Sequence, residues 1–294
     1  MQKPGTNRVT QEYETLKGRF ARWAAAETRI HGLAVLGSRA RSDGNADEWS
    51  DLNLLVITES AQLLARHTDW LADVGKVWVT YLEESTVGGV LERRVLFDGG
   101  FDVDILMLSA QQVERFAREE GAAGFLECMN VLVDKNGLLV RIASTLLKPV
   151  AGEPLSREQF AGLVNDFWFH SVWTMKKLSR GELWVAKWCC DSYMKQLLLK
   201  MVETHAQVVR GKGNDVRWNG RLFEQWAAPA VVEQLKDAFA HYELNDIRWA
   251  LRATMDIFRS LAMETANRLG YPYPTAADQH ATRFVLDLFG TKRP

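Results

Sequence analysis

The stretch "GSRARSDGNADEWSDLNLLVIT", residues 37–58, sets Gly37 and Ser38 after an apolar run and later alternates Asp51 and Asn53 with Leu52 and Leu54. In a strand, side chains two apart share a face, so Asp51 and Asn53 project together while the leucines turn to a core. The same period puts Asp102 and Asp104 of "FDVDILML" on one face. If the two strands lie side by side, three or four oxygen-bearing side chains converge, a donor set suited to a hard divalent cation. Magnesium takes oxygen ligands and keeps waters and substrate phosphates in its shell, so two or three carboxylates hold it at a nucleotide. Gly37 and Ser38, at a strand end, would let backbone N–H groups and the Ser38 hydroxyl approach terminal phosphates.

Plainer roles stand beside these. Asp51 could cap a turn at a strand start, Asp102 could be an edge charge facing water, and Ser38 could be only a small residue in a tight turn. Arg39 and Arg41 could bind phosphate or be solvated loop charges. The six histidines show no H-x-x-x-H spacing, so zinc is not expected.

The elements that must position these residues are legible from periodicity. "VTQEYETLKGRFARWAAAETRI" carries Val9, Tyr13, Leu16, Phe20 and Trp23 at helical spacing. "HGLAVLGS" and "SDLNLLVIT" read as strands, "QLLARHTDWLADVG" as a helix and "KVWVTYLE" as a strand. "RRVLF" and "FDVDILML", split by "DGG", form an expected antiparallel hairpin. After the strand in "CMNVLVDKNG" the pattern turns helical. Ser156 stands three residues before Gln159, a capping-box spacing, and helical periodicity runs on through "KMVETHAQVV". "AVVEQLKDAFAHYE" and the segment ending at Gly270 also read as helices. The expectation is an α+β chain: a small mixed sheet with helices over residues 1–150, then an α-helical bundle over residues 151–294. In that bundle Trp168, Trp173, Trp184 and Trp188 are read mainly as core, and Cys189 and Cys190 as small buried hydrophobes.

The 294 residues suit two domains, and a formal net charge of −1 argues against coating nucleic acid or an anionic membrane. Three cysteines without a C-x-x-C pair fit a reducing cytoplasm. No apolar run approaches the length of a spanning helix.

The G-S, spacer, D-x-D order resembles the signature of the polymerase-beta-like nucleotidyltransferases, and most closely their aminoglycoside 6-adenylyltransferase branch. "VDILML" resembles that family's third-carboxylate strand, and "RGELWVAKWCCDSYMKQLLLKMVETH" and "NDIRWALRATMDIFRSLAMETANRLGYPYP" resemble its second-domain helices. The resemblance implies a nucleotidyltransferase domain over 1–150 and an acceptor-binding helical domain over 151–294. It implies transfer of AMP from ATP, with magnesium, to a hydroxyl of a streptomycin-like aminoglycoside. Another small drug, such as a lincosamide, is the alternative acceptor, and a catalytically silent nucleotide binder the alternative function. Asp51 and Asp104 map onto metal-binding carboxylates, with Gly37, Ser38 and Arg39 toward the nucleotide; Lys187, five positions beyond Glu182, could reach a triphosphate or be an ordinary surface lysine. Glu182, after a bend at Gly181, is a candidate base or ammonium partner, its other reading being a glutamate favoured at a helix N-terminus. A monomer or weak dimer is expected, with neither nucleic acid nor membrane as partner.

Asn53 falls where the family has a carboxylate. Its amide offers an oxygen but no charge, so catalytic metal binding is expected to be weakened. A natural departure and a substitution engineered to bind substrates without turnover are both open, the intact remainder of the signature favouring the second.

Overall fold

A computed structural model describes residues 6–41, 46–84, 90–116, 128–146, 155–210 and 220–288. The chain divides into two compact units, Met1–Val150 and Ala151–Pro294. Most of the segment in which the boundary was expected lies outside the described residues.

The first unit is built on six strands: β1 (Ile30–Leu36), β2 (Leu52–Thr58), β3 (Val77–Glu84), β4 (Leu91–Phe97), β5 (Phe101–Leu108) and β6 (Met129–Asp134). Their order is β3-β4-β5-β2-β1-β6. β2 and β5 run parallel, and the other neighbours are antiparallel. The expected hairpin is β4–β5, closed through Gly99 and Gly100 at positive φ.

Each face of the sheet buries one of the two alternating sets. Leu33, Val35, Leu52, Leu54, Val56, Val103 and Ile105 pack with Tyr13, Leu16, Phe20 and Trp23 of α1 (Thr6–Ala26) and with Leu64 of α2 (Ala61–Arg66). On the opposite face Ala34, Leu36, Leu55, Ile57, Leu106 and Leu108 meet Val113 of α3 (Ala110–Phe116) and Leu138, Leu139 and Ile142 of α4 (Leu138–Leu146). The second face is apolar only along part of its strands: on β2 and β5 the same alternation continues into polar side chains.

The one long helix expected over residues 62–75 is two short pieces. α2 stops at Arg66, His67 and Thr68 are extended or irregular, and a 3-10 turn follows over Asp69–Asp73.

The second unit is helical. α5 (Arg157–Ser179) begins with the full capping box, Ser156 accepting from the Gln159 N–H and Gln159 from the Ser156 N–H. Gly181, at φ +74°, turns the chain into α6 (Leu183–Trp188), followed by a π-helical turn, Cys189–Tyr193, and α7 (Met194–Arg210). Short α8 (Phe223–Trp226) and α9 (Pro229–Gln234) lead to α10 (Leu244–Leu269), ended by Gly270 in the left-handed region. α11 (Thr275–Asp287), absent from the sequence reading, closes the unit. The helix expected over residues 230–243 lasts only through α9 and a 3-10 turn.

Phe160, Val164, Phe167 and Met175 of α5 pack on Ile247, Leu251, Met255 and Phe258 of α10, with Phe167 and Phe258 stacked at 3.7 Å between ring centroids. Trp168 and both cysteines are buried as expected, and Trp173 is half-buried. Trp184 and Trp188 depart from the expected core, being 75% and 56% exposed. They lie one turn apart on α6, and the reversal at Gly181 turns their shared face outward.

Candidate active site

Where the second face of the sheet turns polar, three side chains stand abreast. Asn53 on β2 is in register with Asp104 on β5, and Asp104 with Arg94 on β4. Lateral partners in a sheet point the same way, so amide, carboxylate and guanidinium form a row across three strands. Arg94 is hydrogen-bonded to Asp104 through Nη1, donates from Nε to Glu83 Oε1 at 2.7 Å, and sets Nη2 3.6 Å from Glu92 Oε2.

Gly37 lies across the β1–β2 pair, where Leu36 opposes Asn53. Its φ of +69° opens the 3-10 turn Gly37–Ala40, and a Cβ there would come 3.9 Å from Asn53 Nδ2. The positive φ is what calls for glycine. The Gly37 N–H donates to the Cys128 carbonyl at 3.1 Å, and Ser38 is the second residue of the turn.

Arg39, expected at a triphosphate, turns back on its own loop. Its Nε donates to the carbonyls of Ser50 at 2.9 Å and Asp51 at 3.1 Å, and Nη2 to those of Ser50 and Asp47. The guanidinium also stacks on the Tyr13 ring, 3.5 Å from its centroid. Asp102 faces the same residue, accepting from the Tyr13 hydroxyl at 2.9 Å. Burial first, and then this bond, push the Tyr13 hydroxyl up to about 12.

Asp104 is 7% exposed. Burial drives its carboxyl up to about 7, with Glu92, Asp51 and Asp102 acting in the same direction and Arg94 against them. Glu92 is also pushed up by burial. Among the described residues no group of three or more His, Cys, Asp and Glu side chains is arranged to hold a metal ion. The carboxylates around the row, Asp51, Asp102, Asp104 and Glu92, oppose one another's charge, a mutual opposition that a divalent ion relieves. Asp51, Asp104 and the Asn53 carbonyl oxygen are the residues that would hold it, and such an ion would offset charge on a nucleotide's phosphates.

Residues 10–288 match the protein family described as streptomycin adenylyltransferase. The chain belongs to this family. It is similar to the aminoglycoside 6-adenylyltransferase of Bacillus subtilis (strain 168), 20% identical over 278 residues, covering 92% of this chain and 95% of that protein. The enzyme of the same name from Campylobacter jejuni is 19% identical over 275 residues, covering 90% and 91%. A solved aminoglycoside 6-adenyltransferase from Bacillus subtilis aligns over 96% of this chain and 98% of its own, at 16% identity and a TM-score of 0.43.

This streptomycin adenylyltransferase family member, an adenylyltransferase by that membership, carries its remaining candidate residues on the helical unit. Glu182 occupies the N-cap position of α6 without a side-chain capping bond. It is clasped by Lys177 at 2.7 Å and Arg180 at 2.5 Å. The Lys177 hydrogen bond foremost holds its carboxyl below the usual range. Lys187 donates to Asp191 Oδ2 and to the Ala240 carbonyl, each at 2.5 Å. Sequence reasoning singled out neither Arg94 nor Glu92. The signal was the pair of charges at alternate positions in "LERRVLF", which means little until β4 is known to lie beside β5.

Proposed function

We propose that this chain transfers AMP from ATP to a hydroxyl of a streptomycin-like aminoglycoside, with magnesium as the cation. The acceptor oxygen bonds to the α-phosphorus as the bond to the β-phosphate oxygen breaks, pyrophosphate leaving with the electron pair. The observation that carries the reading is the register Asn53–Asp104 across the parallel β2–β5 pair, beside the positive-φ turn at Gly37.

In this reading Asp51, Asn53 and Asp104 hold the cation, and Gly37 and Ser38 cradle the outer phosphates. Arg39 pins the spacer loop to the phosphate turn through its carbonyl bonds. Residues 1–150 serve the nucleotide and residues 151–294 the acceptor. A carboxylate held low is a weak base, so Glu182 acts as the anionic partner of an acceptor ammonium. Lys187 is free to bind a phosphate only on leaving both Asp191 and the Ala240 carbonyl. The enzyme works in the cytoplasm, as a monomer or weak dimer. Among the described residues no helix is long and apolar enough to cross a membrane.

The neutral amide at 53 favours one second reading, nucleotide binding without transfer. Incubation with ATP, magnesium and a panel of aminoglycosides and lincosamides, read by mass spectrometry, separates the two. An aminoglycoside heavier by one adenylyl group is the expected product. A lincosamide adduct would move the acceptor class, and no adduct with any drug despite ATP binding would make the silent reading the better one.

A further inference from the structure

We infer that Asp166, His170, Trp188 and Tyr193, on one outward face of the helical unit, seat a guanidinium-bearing ring of the acceptor. The inference rests on the transfer reading and deepens it by naming residues that choose the acceptor.

Positions 166, 169, 170, 173 and 177 recur at three-and-four spacing along α5, so they share one face. A helix face turned from the core normally carries polar side chains. This one carries Asp166, Phe169, His170, Trp173 and Lys177, with Phe169 exposed and the others half-buried. Trp188 of α6 and Tyr193 of the π-helical turn lie beside it. The turn is what allows this. Residues five apart in an α-helix stand about 140° apart around the axis, whereas an i→i+5 turn, seen here in the Met194 N–H donating to the Cys189 carbonyl, brings them toward one side. Trp188 and Tyr193 are accordingly stacked, with 6.4 Å between ring centroids and planes 28° apart. From Tyr193 the ring contacts run on to His170 at 4.4 Å, and from there to Phe169 at 5.1 Å.

Charge decides the occupant. Asp166 accepts from the Tyr193 hydroxyl through Oδ2 at 2.9 Å and sets Oδ1 2.6 Å from His170 Nδ1. Glu182 shares its charge with Lys177 and Arg180, and Asp191 with Lys187. Among the described residues no lysine or arginine pairs with Asp166, whose side chain stays 35% exposed. A histidine, unlike those two, is not a permanent cation near neutral pH. Each carboxylate oxygen accepts more than one hydrogen bond, so both keep a lone pair for a ligand. A planar guanidinium meets a carboxylate with two parallel donors and lies flat on aromatic faces, which a compact ammonium does not. The same face already holds one cation–aromatic contact, Lys177 Nζ lying 5.1 Å from the Trp173 centroid. Trp188, 56% exposed, keeps its ring open for another. A streptomycin-like cyclitol, bearing guanidinium groups on a saturated ring, offers a donor fork to Asp166 and an apolar face and further cation to Trp188.

The test is streptomycin binding by isothermal titration calorimetry, on the full chain with magnesium and α,β-methylene-ATP, beside steady-state transfer kinetics. Asp166→Asn and Trp188→Ala should each weaken streptomycin binding about tenfold or more and raise its KM, with kcat and analogue affinity little changed. Trp188→Phe, which keeps a ring, should fall between Trp188→Ala and the parent. An aminoglycoside bearing ammonium groups alone should lose much less in Asp166→Asn than streptomycin does, and an equal loss would overturn the guanidinium assignment. Circular dichroism checks folding, and the exposed Trp188 carries the test should Asp166→Asn unfold. Unchanged streptomycin affinity in the folded variants would overturn the inference while leaving the transfer reading intact. So would a loss of analogue affinity in Trp188→Ala, which would give the rings to the nucleotide base. A dimer dispersed by Trp188→Ala in sedimentation velocity would overturn it too, making the face an interface between copies. A parent that neither binds nor modifies streptomycin would instead remove the transfer reading, and this seat with it.

Discussion

Tyr13 and Asp102, on α1 and β5, are joined by a 2.9 Å hydrogen bond from the phenol to the carboxylate, on the ring that also carries the Arg39 guanidinium. The bond ties the helix to the polar end of the sheet and gives the Asp102 carboxylate a structural partner. Tyr13→Phe keeps the ring under Arg39 and removes only the donor, so a loss of about 1 kcal/mol in urea unfolding is expected. Asp102→Asn should leave the cation dependence of transfer unchanged. A steep rise in the magnesium requirement of Asp102→Asn would return that residue to the cation site.

Asp104 links stability to pH. Its carboxyl is raised to about 7, chiefly by burial, so the folded chain holds this proton more tightly than the unfolded one. The resulting stabilisation is fully present below the ordinary aspartate value of about 3.9 and is lost as pH rises through about 7. Asp104→Asn should therefore melt higher than the parent at pH 8 without cations, and close to it at pH 4, while transfer is all but abolished. A variant less stable than the parent at pH 8 would mean that the ion pair with Arg94 outweighs the burial of the charge.

Asn53→Asp restores a negative charge beside Asp51 without touching Arg94. The magnesium concentration for half-maximal transfer should fall by about tenfold or more, corresponding to roughly 1.4 kcal/mol in cation binding. Initial rates across a magnesium series measure this. An unchanged requirement would place position 53 away from the ion.

On the helical unit, Asp278 of α11 accepts from Arg259 of α10 through Nε and Nη2, from Tyr273 and from Thr282. Burial works to raise its carboxyl, but these bonds together hold it below the usual range. The stability it confers is present above the unfolded-state value and lost as pH falls through the folded one. Asp278→Asn is expected to cost about 3 kcal/mol at pH 7, the gap to the parent narrowing in acid. Urea melts at pH 7 and pH 3 would show it, and equal gaps at both would contradict it.

What could be read from sequence was whatever depends on near neighbours. The Ser156–Gln159 box, the stop at Gly270 and the turn at Gly99–Gly100 are each set by residues a few positions apart, and each formed as expected. The break after Arg66 was hidden because "QLLARHTDWLADVG" keeps an apolar rhythm across it. Trp184 and Trp188 were placed inside because periodicity says which residues share a face but not where that face points. Of the candidate site, the shared face of Asp102 and Asp104 on β5 was legible, whereas Asp51 stands just before β2, outside the strand's alternation. The meeting of Asp104 with Arg94 was not, since it depends on strand adjacency.

The parallel pairing of β2 with β5 has a consequence for how this unit comes into being. Antiparallel neighbours can zip from a tight turn, but parallel strands require the chain to travel back to the same end of the sheet before pairing. Here that journey includes β3 and β4, laid outboard of β5. Asn53 and Asp104 are thus strangers in a growing chain, brought together only by long-range closure, the slowest class of contact to form. A nascent chain halted before Phe101 would carry the Gly37 turn, Asp51 and Asn53 yet have no Asp104 beside them, and on the proposed transfer reading cation-dependent nucleotide affinity would appear only as that closure completes.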